Sequence, residues 1–289
     1  MTVTVSAPAK LNLTLDVLGV RADGYHEMKS VMQAVDLCDT VTLTDTPCGI
    51  TLAITGSDLV PDERNTAYKA AAQFLRYIHR EDRGVHITLH KRIPMQAGMA
   101  GGSADAAAVL VGMNALTGAE LPLQTLCEIG ALVGADVPFC VAGGAAVASG
   151  IGTTLQAVTP LVNGYIVAAK PAVSVSTAEA YRAIDSAVGL PTPDHDGMCA
   201  AMAAGDLCRV GALLCNVFEN ALALPAVSEL LDEMRAFSPC GCRMTGSGSV
   251  AFALFAEEAA ATRCAEVLRE NYNEVYICRP IAGGAEVTI

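Results

Sequence analysis

The sequence predicts an α+β protein built as two lobes, and three observations carry that prediction. Strand-like alternation opens the chain. A run of small residues at 97–108 leads out of a strand and into an abrupt helix. In the second half, helical stretches near 206–215, 225–236 and 257–271 alternate with strands at 250–256 and 275–278, the pattern of a split βαβ unit. Between them the chain passes Gly143-Gly144, Ser149-Gly150-Ile151-Gly152 and Pro160, which sets a boundary between lobes 1–158 and 159–289. A chain of 289 residues is long enough for two cores, or for one large core split by a cleft.

Taken in order, Thr2 to Val5 and Leu11 to Val17 each alternate with a period of two, as half-buried strands do, and Ala7-Pro8-Ala9 separates them. Lys10 falls at the start of the second strand, where a lysine is ordinarily a solvated edge charge. Arg21-Ala22-Asp23-Gly24-Tyr25-His26-Glu27 reads as a turn at Asp-Gly, followed by a polar segment with a partly buried tyrosine. Strands follow at 41–44 and 50–55. Asn65 reads as the N-cap of a helix whose apolar face is Ala67, Tyr68, Ala71, Ala72, Leu75 and Ile78, with Arg76, His79 and Arg80 crowding its C-terminal turn. A strand at 85–90 leads to the small-residue run.

Beyond it, Ala106, Val109, Leu110, Met113 and Leu116 recur at helical spacing. Pro122 suits a helix first turn, and that helix runs to Gly134. Asp136, between Gly-Ala and Val-Pro, is either a cap for the next segment or a functional carboxylate. A strand at 164–169 opens the second lobe, and 190–198 reads as a loop. Met244 to Ser249 is a glycine-serine turn ahead of the strand at 250–256.

Composition narrows the function. With 52% hydrophobic and 17% charged residues the chain folds, and it has no apolar run of the roughly 20 residues that a membrane span requires. No basic and apolar leader pattern opens it, so a cytoplasmic protein is the default expectation. A net charge of -12 argues against a nucleic-acid surface, and any anionic ligand must be held by local groups. The eleven cysteines are odd in number, and no C-x-x-C pair occurs. Most of them, among them Cys38, Cys127, Cys140, Cys208, Cys215 and Cys264, lie in apolar runs, so reduced core residues are expected.

The run from Gly98 to Ala108 carries the chemistry. Gly98, Gly101 and Gly102 allow positive φ and close backbone approach, and a helix starting there turns free N–H groups and its positive dipole end outward. That combination is a phosphate cradle. Neither GxxxxGK[ST] nor GxGxxG occurs in the chain, which excludes the two better-known cradles.

The string Pro94-x-x-x-Gly98-Met99-Ala100-Gly101-Gly102-Ser103-Ala104 resembles the ATP-binding signature of the GHMP kinases, P-x-x-x-G-L-G-S-S-A. Ala7-Pro8-Ala9-Lys10-Leu11-Asn12 matches that family's N-terminal motif, and Met244-Thr245-Gly246-Ser247-Gly248-Ser249 its third motif, so the resemblance spans nearly the whole chain. It implies a two-lobed fold, ribosomal protein S5 domain 2-like in the N-terminal lobe and ferredoxin-like in the C-terminal lobe. It also implies ATP and Mg²⁺ as cofactors. ATP would be held by Asn65 and by Pro94, Met95, Gln96, Ala97, Gly98, Met99, Ala100, Gly101, Gly102, Ser103 and Ala104. Lys10 would lie at the transferred phosphoryl group, Asp136 would be the base, and Ser103 and Asp105 are both candidates for the metal.

R-x-D-G-Y-H-E, here Arg21 to Glu27, is a hallmark of the subfamily that acts on a cytidine-diphosphate-linked methylerythritol. By that resemblance the partner is this small molecule, not a nucleic acid or a membrane, and the protein is a monomer or weak homodimer. Tyr25 would stack on the base, His26 would bond its edge, and Tyr181 would supply a second ring where phenylalanine is common. Asn12, Gly246, Ser247 and Gly248 complete the implied substrate site. Ala100 and Ala104 depart from the family pattern, yet both are small and leave backbone donation intact. The alternatives are a GHMP kinase for another acceptor, of homoserine or mevalonate type, and a non-catalytic protein of the same fold that binds a nucleotide or sugar.

Overall fold

The structure, a computed structural model, describes residues 1–288. The chain opens on two long strands, β1 (Thr2–Val20) and β2 (His26–Thr46), paired antiparallel along their length. The first lobe continues with β3 (Gly49–Thr55), α1 (Thr66–Tyr77), β4 (Gly84–His90), α2 (Gly101–Thr117), α3 (Leu123–Ala131), α4 (Val137–Ala142), β5 (Ala145–Gly150) and β6 (Thr154–Ala157). The second half carries β7 (Tyr165–Lys170), α5 (Thr177–Ser186), α6 (His195–Ala204), α7 (Leu207–Leu213), β8 (Cys215–Asn216), α8 (Val217–Leu222) and α9 (Pro225–Arg235). It ends with β9 (Gly241–Met244), β10 (Ala251–Phe255), α10 (Glu258–Leu268), β11 (Glu274–Cys278) and β12 (Glu286–Val287).

The two strands expected on either side of Ala7-Pro8-Ala9 are one strand. Pro8 stands opposite Cys38, and the register shifts between Pro8 and Ala9. A bulge absorbs the missing proline N–H, so the chain bends there without leaving the sheet. That sheet runs β12-β1-β2-β4-β3, with β5 and β6 continuing from β2 and β8 pairing parallel to β1. Two of its strands, β8 and β12, come from beyond residue 158, so hydrogen bonds cross the cut drawn from the sequence.

The second sheet has the order β11-β7-β10-β9, antiparallel throughout. Numbered within this sheet the order is 4-1-3-2, the ferredoxin-like order. Alternation along β7 and β10 sorts their side chains between two cores. Val167, Ala169, Ala251, Ala253 and Phe255 pack with α9 and α10. Ile166, Ala168, Phe252 and Leu254 join the first-lobe core instead, so one apolar seam runs beneath both lobes.

Three other expectations change. Residues 190–198 are not wholly loop, because Asp194 caps α6 by accepting from the Gly197 N–H. Cys208 is exposed, with its Sγ 3.7 Å from that of Cys240; all eleven cysteines are free. The helix α2 is buried on every side from Ala104 to Leu110, not along one stripe. No helix among the described residues is long and apolar enough to cross a membrane.

A buried ion triad fixes where α2 begins. Asp39 on β2 and Asp105 on α2 both accept from the Lys91 ammonium, Asp105 at 2.6 Å. Asp39 also accepts the Ile93 N–H at 2.9 Å, which ties down the stem of the glycine loop. Burial pushes the Asp105 carboxyl from an ordinary 3.8 up to about 7, because two carboxylates share one ammonium in a dry site. Burial alone would lower Lys91, but Asp105 and Asp39 overcome it and raise its pKa.

Two outcomes follow from this loop and triad. Ala100, at the start of α2, has φ 60°, a left-handed conformation that a Cβ disfavours. Ala100→Gly is expected to raise unfolding free energy by about 1 kcal/mol in urea titrations. The folded Asp105 holds a proton that the unfolded chain has released, so its contribution to stability is full below about pH 4 and is lost as pH rises through about 7. Wild type should therefore lose stability relative to Asp105→Asn between about pH 4 and about 7, and a constant difference across that range would contradict the assignment.

Candidate active site

A cleft of about 960 Å³ lies between the lobes, and its floor is the glycine loop. The loop is held from beneath by backbone contact with the second lobe. A Cβ on Gly98 would meet the Thr245 carbonyl oxygen at 2.1 Å, and one on Gly246 would meet the Gly98 Cα at 2.6 Å. Val250 N–H donates to the Ala97 carbonyl, and Asn216 Nδ2 donates to the carbonyls of Met244 and Gly246. Ser103 and Ala104 N–H both turn back to the Ala100 carbonyl, and no side chain caps the helix. The first-turn amides of Gly101 and Gly102 have no intrahelical acceptor and both residues line the cleft, the arrangement that binds anions. A Cβ on Gly102 would already stand 3.3 Å from the Thr66 Oγ1, so glycine keeps this surface open.

The cleft brings together residues that are far apart in sequence. Lys10 and Asp136 face each other, Nζ to Oδ2 at 3.8 Å, with the lysine side chain 4% exposed and the carboxylate 32%. Lys10 is thus no solvated edge charge. Two of its protons are committed, to Asn12 Oδ1 at 2.7 Å and to the Gly98 carbonyl at 3.0 Å. Asp136 stands at the N-cap position of α4 but makes no capping hydrogen bond, so the cap alternative is not realised. Asn65 caps α1 as expected, its side chain accepting from the Ala67 N–H, and it also lines the cleft.

Of the expected phosphate-loop residues, Pro94 to Gly98, Ala100 and Gly101 to Ser103 line the cleft. The Met99 and Ala104 side chains are fully buried beneath it, and Met99 contributes a carbonyl to the Lys10 N–H. Gly246, Ser247, Gly248 and Tyr181 also line the cleft. Asn12 lines it too, although both ends of its amide are engaged by protein groups.

Tyr25 and His26 are placed differently from each other. Tyr25 is 64% exposed at the end of the β1–β2 hairpin, not partly buried, and is outside the cleft lining. His26 stacks on Tyr181 with ring centroids 4.4 Å apart, and Tyr181 meets Phe218 edge-on at 5.1 Å. The Nε2 of His26 is 2.8 Å from Asp185. Burial raises the Tyr181 pKa, with Asp136 adding to the effect, so its hydroxyl stays protonated at neutral pH.

The sequence reading assigned no role to several groups of this site. Ser174, Val175, Ser176, Thr177 and Glu179 line the cleft from the second lobe, where Ser176 and Glu179 form a capping box for α5. The Ser-x-x-Glu spacing was a readable signal for that box. Leu15, Met28, Met32 and Phe218 also line the cleft and belong to one apolar cluster. The two metal candidates, Ser103 and Asp105, both line the cleft; Asp105 is 1% exposed, with Oδ2 bound to Lys91 and Oδ1 without a hydrogen-bond partner among the described residues.

With this geometry in place, comparison with known proteins is specific. Models of the GHMP kinases N terminal domain and the GHMP kinases C terminal match residues 65–144 and 198–274. A 4-diphosphocytidyl-2-C-methyl-D-erythritol kinase of Exiguobacterium sibiricum is 44% identical, over 96% of this chain and 98% of its own. One of Carboxydothermus hydrogenoformans is 42% identical, over 97% of each. A crystal structure of 4-(cytidine 5'-diphospho)-2C-methyl-D-erythritol kinase superposes with a TM-score of 0.80 at 34% identity, covering 98% of this chain and 100% of that one. Two matched domains in the expected order, joined across a glycine-lined cleft, place the chain among the GHMP kinases, in the 4-diphosphocytidyl-2-C-methyl-D-erythritol kinase family.

Proposed function

We infer that the chain transfers the γ-phosphoryl group of ATP to the 2-hydroxyl of 4-diphosphocytidyl-2-C-methyl-D-erythritol. The observation that carries this reading is the meeting of Lys10 and Asp136, from opposite ends of the first lobe, beside the free amides of α2. Phosphoryl transfer needs positioning and charge neutralisation more than covalent chemistry, and these groups supply both. Gly101 and Gly102 N–H hold phosphate oxygens. Lys10, with one proton uncommitted, meets the charge of the transferring group. Asp136 takes the hydroxyl proton as the acceptor oxygen bonds to the γ-phosphorus and the β–γ bridging oxygen leaves with ADP.

The donor set also fits a magnesium ion that travels with the nucleotide. Among the described residues no three carboxylate, histidine or cysteine side chains converge, and Mg²⁺ in kinases rests largely on substrate phosphates and waters. Ser103, on the first turn of α2, and Asp105, whose Oδ1 has no hydrogen-bond partner among those residues, both line the cleft and are the residues that would hold it. When bound, the ion neutralises phosphate charge. We place the reaction in the cytoplasm, in a monomer or weak homodimer.

The acceptor's base would enter by Tyr181 and Phe218, which line the cleft, with His26, outside the lining, stacked on Tyr181. Transfer of ³²P from γ-labelled ATP is expected with the cytidylated acceptor and not with 2-C-methyl-D-erythritol 4-phosphate. Equal labelling of both, or of neither, would refute the acceptor. Asp136→Asn is expected to lower kcat by about 10² to 10⁴-fold with little change in the KM for ATP, and a loss of only a few-fold would remove Asp136 as the base.

A further inference from the structure

We propose that Ser30, which lies behind the cleft and meets no substrate, positions the catalytic lysine by fixing which end of the Asn12 amide faces it. The inference rests on the transferase reading above and concerns how its lysine is aimed.

The argument is an accounting of protons. A serine hydroxyl has one hydrogen to donate. The Ser30 Oγ is 2.6 Å from the Thr14 carbonyl oxygen, which can only accept, so the hydroxyl proton lies there. Toward Asn12, 2.7 Å away, Ser30 is left with lone pairs only. The amide atom it meets must be the NH₂ group, and the oxygen must point the other way, at the Lys10 ammonium 2.7 Å distant. Nothing in this sequence of donors depends on telling amide nitrogen from oxygen by their positions.

The alternative orientation is closed by the same reasoning. A flipped amide would set NH₂ against an ammonium, both donors, and would set the amide oxygen against a hydroxyl whose proton is already used. Thr245 does not decide between the two. Its Oγ1 accepts the Asn12 backbone N–H at 3.0 Å and stands 3.4 Å from both Asn12 Oδ1 and the Gly98 carbonyl. The Lys10 ammonium and Ser30 therefore select the same orientation, and Ser30, fully buried with its partners Asn12 and Thr14, is the one that holds it from outside the reacting groups. With the amide oxygen and the Gly98 carbonyl as its two acceptors, Lys10 keeps its third proton for the side where Asp136 lies.

The test is a double-mutant cycle on kcat, with ³²P transfer as the assay and melting curves as the control for folding. Ser30→Ala is expected to lower kcat about tenfold while the KM for each substrate stays within about threefold. Ser30→Cys, which fills the same space with a weak hydrogen-bonding group, is expected to do likewise and serves if alanine at this site does not fold. Asn12→Asp removes the need for selection, because both ends of a carboxylate accept. In that background, loss of the Ser30 hydroxyl should cost less than about twofold. An equal loss in both backgrounds would make Ser30 a packing residue only, and an unchanged kcat in Ser30→Ala would remove it altogether. Failure of the transferase reading is distinct, because it shows in wild type as no label transferred.

Discussion

Two loops from different lobes meet backbone to backbone at Gly98 and Gly246, and the catalytic geometry depends on that contact. Gly98 and Gly246 both have positive φ, and any Cβ between them would overlap carbonyl or Cα atoms. Through this contact the Gly98 carbonyl reaches the Lys10 ammonium while Thr245 reaches the backbone of Asn12. A strand from the start of the chain, the loop before α2 and the loop before β10 thus share one set of hydrogen bonds. Separating the lobes at this seam would disarrange lysine, amide and glycine loop together, so the second lobe acts on the first-lobe chemistry without supplying an ionised group to it.

The contrast between Lys10 and Lys91 shows how an acidic chain prepares for an anion. Both lysines are buried, at 4% and 6% exposure. Lys91 is matched by two carboxylates and has no charge to offer a ligand. Its work is structural, since removing one partner from a buried ion group costs about 3–5 kcal/mol. Lys10 donates to two neutral acceptors, an amide oxygen and a carbonyl, and meets a single carboxylate, Asp136, at the longer distance of 3.8 Å, so less of its charge is matched. With a net charge of -12, the chain cannot attract a triphosphate by its overall field. The attraction must come from one under-neutralised ammonium and from helix-end amides held at short range.

Much of this was legible in the sequence because it is written in local signals. Asn65 before an apolar face is a cap by its chemistry, and it caps. Gly98, Gly101 and Gly102 announce a loop that needs close approach, and each faces backbone or side chain that a Cβ would crowd. The roles implied for Lys10 and Asp136 came from motif resemblance alone, since no period or spacing brings those positions together. What stayed hidden depends on register. Ser30 on an alternating strand reads like any polar outward residue, and only its pairing opposite Leu15, with Thr14 and Asn12 beside it, turns it inward. The continuous β1 was hidden because proline normally breaks a ladder and a bulge is not written in composition. The all-round burial of α2 was hidden because alanine is neutral in any amphipathic pattern, and only packing against β1, β2, α1, α3 and α4 shows that every face is covered.

Asp136 shows how a residue is freed for chemistry by its neighbours. An aspartate ahead of a helix ordinarily turns its carboxylate onto the amides of the second or third helical residue. Here the second residue is Pro138, which has no amide, so one of those donors is gone. A capping residue also takes extended backbone angles, whereas Asp136 has φ -83° and ψ -9°, already helical, and this carries its side chain away from the remaining donor. The Cys140 N–H is satisfied by the Asp136 backbone carbonyl, so the helix start loses little without the side chain. The carboxylate is left with the Lys10 ammonium 3.8 Å away and about a third of its surface open to the cleft. In Gly-Ala-Asp-Val-Pro the proline is therefore part of the site, because it removes the most available competitor for the carboxylate that must meet the acceptor hydroxyl.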